Sequence, residues 1–217
     1  MGLAAIPHSY ARHPAAITAG DTLPIMGDCY RLARSLVVPE RSAGAAAIAT
    51  TLERFGPGAL KFALDRGTRV SPLHGGEAYR MASPALARLG IDVDAWPAPP
   101  AGLFVVEERT VYLRSLSTMT VAHEFGHALD CALGDGVYRS GVDPHLRRLF
   151  VSARSFVTPY AASGVDEYFA EALRAYVEAN DRASHWPRAT KARLAAIDPQ
   201  MFDYVKRLFN SEFRRAA

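Results

Sequence analysis

Apolar and polar positions alternate along this chain with changing period, and the period marks the elements. Residues 42–55 carry apolar side chains at helical spacing in an Ala-rich run, "SAGAAAIATTL", with Ser42 placed to cap the helix. "GPG" at 56–58 breaks it, and a second helix over 59–65 ends at Gly67, a residue suited to a helix stop. Residues 68–73, "TRVSPL", alternate like a short strand, and a helix is expected over 77–89. Two apolar runs, 103–106 and 110–113, flank a charged turn at 107–109 and predict a hairpin. After it come a helix capped by Ser115 or Ser117 and stopped at Gly134, a helix in "PHLRRLFVSARSF", a strongly amphipathic helix in "SGVDEYFAEALRAYVEAN", and a closing helix in "DPQMFDYVKRLFNSEF". Ser163 and Asp166 have the spacing of a capping box for the amphipathic helix.

Residues 1–38 have scattered Pro and Gly and little periodicity, and read as an extension that packs loosely or wraps the body. The Pro-rich stretch "WPAPPAG" at 96–102 reads as a join between lobes, and the domain over 39–217 divides into an N-lobe, about 39–134, and a C-lobe, about 135–217. No internal repeat is present.

Composition excludes more than it proposes. With 49% apolar and 22% charged residues the chain reads as globular. The net charge of +3 is scattered, with no basic run longer than two residues and no interleaved aromatic stripe, so nucleic acid is not an expected partner. No apolar run approaches the roughly 20 residues of a membrane span. The N-terminal residues lack the charged start and apolar core of a Sec signal, so a cytoplasmic location, or export by a signal-independent route as in a bacterial secreted effector, is expected. Two cysteines, Cys29 and Cys131, make no disulfide framework.

The chemistry concentrates in "TVAHEFGHALD", residues 120–130. His123 and His127 are one helical turn apart and can aim both imidazoles at one ion, while Glu124 sits beside the first and can reach a water there as general base. Two partly exposed helix histidines are the plain alternative. A third ligand must come from elsewhere, and in "DEYFAEALRAYV" Glu167, Glu171, Arg174 and Glu178 share a face opposite Phe169, Leu173 and Val177. One carboxylate of the Glu167, Glu171 pair could bind zinc and the next could take the free N–H of a liganding histidine; a solvated acidic stripe paired with Arg174 is the alternative. Tyr160, seven residues before Glu167, could donate to a developing oxyanion or leaving amine. Cys131 follows His127 by one turn, but ligands from three successive turns of one helix span about 12 Å, too far for one ion. His74 is a lone loop histidine.

HEFGHALD, followed some forty residues later by "PYAASGVDEYFAEALRAYV", resembles the catalytic domain of anthrax toxin lethal factor and its relatives, among them the bacterial Pro-Pro endopeptidases. These are zinc metallopeptidases of the gluzincin type. The resemblance implies a two-lobe α+β zincin-like fold: a small mixed sheet with the active-site helix, and a mostly helical C-terminal lobe. It implies one zinc held by His123, His127 and Glu167, with Glu124 as general base, Tyr160 assisting at the oxyanion, and Glu171 behind His123. It further implies a protein or peptide substrate bound in extended form, for which residues 110–114, with Val111, Tyr112 and Leu113, are expected to offer an exposed strand edge. The resemblance is strong over about 102–210, weaker over 44–101 and absent over 1–38. Nothing matches the toxin's receptor-binding or docking domains, so its kinase specificity does not carry over. Short repressor-cleaving metallopeptidases, and a catalytically silent zincin scaffold that binds a partner, are the rival readings.

Overall fold

A computed structural model describes residues 27–41, 44–184 and 186–216, and the fold follows from where its apolar stripes are buried. Helix α1 (Asp28–Leu36) buries Ala33 and Leu36. This helix is not expected from the sequence, because its periodic apolar positions are few and polar residues surround them. Helix α2 (Ala45–Leu52) starts after Gly44, which has φ +74° and stands against the Leu116 side chain. Ser42, the cap expected from sequence, lies outside the described residues, as do residues 1–26 of the extension. Helix α3 (Gly56–Asp65) begins at the "GPG" itself, since Pro57 in the first turn gives up an N–H that a helix start leaves unpaired in any case.

Three strands form one sheet in the order β1 (Arg69–Pro72), β3 (Thr110–Leu113), β2 (Gly102–Val105). β1 runs parallel to β3, and β2 pairs with it as an antiparallel hairpin. The single helix expected over 77–89 is two short ones, α4 (Tyr79–Ala82) and α5 (Pro84–Leu89), because Ser83 leaves helical geometry and its side chain caps the second at the Leu86 N–H. The Pro-rich stretch leads straight into β2, with the Ala101 carbonyl accepting from the Arg114 and Ser115 N–H groups.

Helix α6 (Thr118–Leu133) runs through the middle, capped by the Ser117 side chain and ended at Gly134. Short α7 (Arg139–Val142) and α8 (Pro144–Ser152) lead to α9 (Val165–Tyr176), and α10 (Lys191–Ile197) and α11 (Pro199–Arg207) close the structure. One apolar core joins these helices to α1–α3 and the inner face of the sheet, from Ala33 to Phe213, and a smaller cluster around Tyr79, Leu86 and Tyr112 fills the opposite side. The fold is the mixed α+β arrangement expected from the sequence, a small sheet with the central helix on one side and a mostly helical half on the other.

Candidate metal centre

Helix α6 is buried all round from residue 120 to 132, as befits a helix in the centre of a core rather than at a surface. Its polar residues are therefore interior groups. His123, Glu124 and His127 are each less than a tenth exposed, which rules out the reading of two partly exposed histidines. Helix α9 crosses it closely because the contact is made by small residues: a Cβ on Gly126 would stand 3.0 Å from the Ala170 Cα and 3.2 Å from its carbonyl oxygen. Gly126 adjoins His127, and Ala170 lies between Glu167 and Glu171, so the approach of the backbones brings those side chains together.

What meets there is a set of three donors. His123 Nε2 stands 3.1 Å from His127 Nε2 and 3.0 Å from Glu167 Oε2, and His127 Nε2 is 3.3 Å from the same oxygen. Tetrahedral bonds of 2.0–2.1 Å would set neighbouring donors about 3.3 Å apart. Glu167 Oε2 is buried without a hydrogen-bond donor. A sealed carboxylate oxygen facing two imidazole nitrogens calls for a cation at the centre of the triangle, and two imidazoles with one carboxylate are a zinc donor set. The electrostatics agree. Burial pulls the His123 imidazole down, yet Glu167 and Glu171 outweigh it and lift it to about 10. Glu167 stays well below the usual carboxylate range in spite of its burial, because the two histidines favour its charged form.

Around the triangle most other contacts are fixed, although His127 Nδ1 is buried without a hydrogen-bond partner. His123 Nδ1 lies 3.0 Å from Glu171 Oε1; facing a carboxylate, it must carry the proton, which leaves Nε2 free as a ligand. Thr158 donates to Glu171 Oε2 at 2.5 Å and accepts from the Ala161 N–H at 3.3 Å, tying α9 to the short helical turn Tyr160–Ala162. Tyr160 donates to Glu167 Oε1 at 3.0 Å, and its ring centre is 5.3 Å from that of His123. Burial pushes the Tyr160 phenol above its ordinary range, and Glu167 adds to this, so it remains a donor. Burial also raises the Glu124 carboxyl, while the His123 and His127 imidazoles pull the other way.

The structure thus brings His123, Glu124, His127, Tyr160, Glu167 and Glu171 into one place. It removes one alternative and corrects two expectations. Arg174 is no solvated partner of an acidic stripe: α9 is buried on both faces, with Arg174 1% exposed. Ser163 does not cap α9; Gly164 does, in extended geometry and with no side-chain bond, because the backbone enters the helix one residue later than the capping box requires. Most consequential, Val111, Tyr112 and Leu113 are not on an exposed edge. β3 is the middle strand, bonded to β1 on one side and β2 on the other, and all three side chains are buried. The outer strand next to the centre is β2. A Cβ on Gly102 would lie 2.5 Å from Glu124 Cγ and 2.9 Å from Thr120 Cγ2, so only glycine lets that strand approach the helix. Cys131 is a buried core thiol outside the donor set, and His74 is an exposed residue whose N–H bonds Glu77.

Two further residues frame the centre without having been singled out from sequence. Asp130 is fully buried and binds Ser140 through both its N–H (2.8 Å) and its hydroxyl, which fastens α7 to the end of α6; burial lifts its carboxyl to about 6. The Tyr138 ring lies 5.7 Å from His127 and 6.3 Å from Phe104, measured between ring centres, and so packs against the second histidine. The HEFGHALD string contains Asp130, but a second acidic residue on the helix carries no local mark of what it will bind.

No protein-family model matches the chain, and no curated protein does. Solved structures do match. One is the Pro-Pro endopeptidase from Paenibacillus alvei, at 23% identity and a TM-score of 0.58, aligned over 82% of this chain and 99% of that one. This chain shares the overall α+β fold of that endopeptidase.

Proposed function

We propose that the chain is a zinc-dependent endopeptidase that hydrolyses peptide bonds in an extended substrate. One observation carries this reading: three buried donors, two of them imidazole nitrogens and the third a carboxylate oxygen without a proton donor, lie 3.0–3.3 Å apart beside a buried glutamate. The likeness to a solved endopeptidase supports it. His123, His127 and Glu167 would hold the zinc, which when bound supplies Lewis acidity for attack on a carbonyl.

The remaining chemistry belongs to the side chains. Glu124 is the proton acceptor for the attacking water, and its burial, which raises its affinity for that proton, equips it to carry the proton onward to the departing amine. Tyr160 turns from Glu167 toward the oxyanion and donates its hydroxyl proton in a hydrogen bond as the charge develops. Glu171 fixes the His123 ring by accepting from Nδ1. Substrate lies along the free side of β2 rather than on β3, since β2 is the outer strand and passes directly over Glu124. Which residues flank the cleaved bond is a separate matter from the fold; the Pro-Pro preference named for the solved relative is not assigned to this chain.

Incubation of the zinc-loaded protein with a degenerate peptide library, read by mass spectrometry, tests the proposal. Internal cleavage that is abolished by a chelator and restored by zinc is the expected result. A protein that holds its zinc and cleaves no peptide would instead favour a binding scaffold.

A further inference from the structure

Among the described residues Arg174 is the largest side chain with almost no contact with solvent, and all its polar contacts point toward the metal centre or lock its own position. Its Nε donates to Glu171 Oε1 at 2.7 Å and its Nη2 to Glu171 Oε2 at 2.8 Å, a two-pronged grip on the whole carboxylate. Nη1 donates to the Ala179 carbonyl at 2.9 Å and to Asn180 Oδ1 at 3.3 Å. Asn180 is pinned in turn, accepting from the Ala189 N–H at 2.9 Å and donating to the Ala189 carbonyl at 2.8 Å. The guanidinium plane therefore cannot rotate, and neither can the carboxylate it grips.

We propose that Arg174 is a positioning residue of the metal centre, acting through Glu171 on His123. This rests on the zinc-peptidase reading above. Glu171 Oε1 accepts from both Arg174 Nε and His123 Nδ1, so the guanidinium determines where that oxygen lies and hence the tilt at which His123 presents Nε2. Stability alone does not account for such a pair. A buried ion pair contributes little more to folding than an apolar residue of the same shape, because desolvation offsets its attraction. A planar fork that fixes both carboxylate oxygens supplies direction, which an apolar side chain or a lysine does not. Loss of a partner behind a metal-binding histidine typically weakens metal affinity 10–100-fold.

The test is zinc affinity, measured by competition with a chromogenic chelator on the purified full chain, with thermal unfolding of the metal-free protein in parallel. Arg174→Met is expected to bind zinc about 10–100-fold more weakly than the parent. Arg174→Lys keeps the charge but reaches one oxygen at most, and is expected to fall between them. Glu171→Gln combined with Arg174→Met should bind no more than about threefold more weakly than Glu171→Gln alone, because both changes act on one path. Variants that melt earlier but keep the parent's zinc affinity would overturn the proposal, leaving Arg174 a purely structural residue. Should Arg174→Met fail to fold, unchanged affinity in Arg174→Lys overturns it equally. A parent chain that binds no zinc would overturn the metal-centre reading first, and this inference with it.

Discussion

Two carboxylates of this molecule, Glu108 and Glu167, are both drawn out of solvent, one beside the sheet and one between α6 and α9. Glu108 receives the Ser83 hydroxyl at 3.0 Å, the Ala85 N–H at 2.6 Å and the Tyr112 hydroxyl at 2.6 Å, so both of its oxygens are answered by fixed donors. Glu167 has one oxygen answered by Tyr160 and the other left facing two imidazoles. The first arrangement is complete and fastens α5 to the hairpin. The second is complete only when a cation joins it. Acidic groups that hold a fold differ from those that await a ligand in whether the protein itself supplies every partner.

The largest expected effect separates metal holding from chemistry within the second region. Glu124→Gln leaves the three donors in place, so zinc content and unfolding temperature should match the parent while kcat falls about 10³-fold, on the order of 4 kcal/mol. Parent-rate hydrolysis by this variant would remove Glu124 from the role of base. Next comes Tyr160→Phe, which keeps the ring and deletes the donor. Steady-state kinetics should give a kcat about 100-fold lower, about 2.7 kcal/mol, with KM little changed. A change of only a few-fold would reduce Tyr160 to the packing and Glu167 contact it already makes.

Gly126→Val attacks the approach of the helices. The added side chain meets Ala170 and must push α9 away, which should cost about 1–3 kcal/mol in denaturant unfolding and weaken zinc binding too. Parent-like stability and zinc binding would show that the crossing does not depend on the glycine. The smallest effect lies near the sheet. Arg41 grips Glu77 with two hydrogen bonds, one of them 2.8 Å, and holds its carboxyl down at about 2. Since the folded value lies below the ordinary 4.5, ionised Glu77 stabilises the fold above that pH, and the contribution is lost as pH falls from about 4.5 toward about 2. The melting-temperature gap between parent and Glu77→Gln, equivalent to about 1 kcal/mol at neutral pH, should narrow over that window and not on the alkaline side.

The two regions also differ in what their sequence disclosed. His123, Glu124 and His127 are legible because a helix converts a spacing of four into a shared face, a purely local rule. Glu167 was within reach because it repeats that spacing on a second helix, though only the crossing at Gly126 and Ala170 shows that the two faces meet. The hairpin was legible for the same local reason, but strand order was not. Whether β3 or β2 is outermost depends on a parallel pairing between residues 69–72 and 110–113, which no short-range signal encodes. That is why the sequence marks the hairpin but not that β3, on which an exposed edge is expected, is the middle strand. The burial of Arg174 is hidden for a similar reason: an acid and a base three residues apart carry no local mark that a second layer of helices will cover them.

Elemental analysis of zinc in the parent, in Glu167→Ala and in Glu108→Ala tests the central claim most directly. The parent and Glu108→Ala should each carry about one zinc per chain, whereas Glu167→Ala should lose most of it, because only Glu167 has an oxygen reserved for the ion. Full retention of zinc by Glu167→Ala would contradict the account.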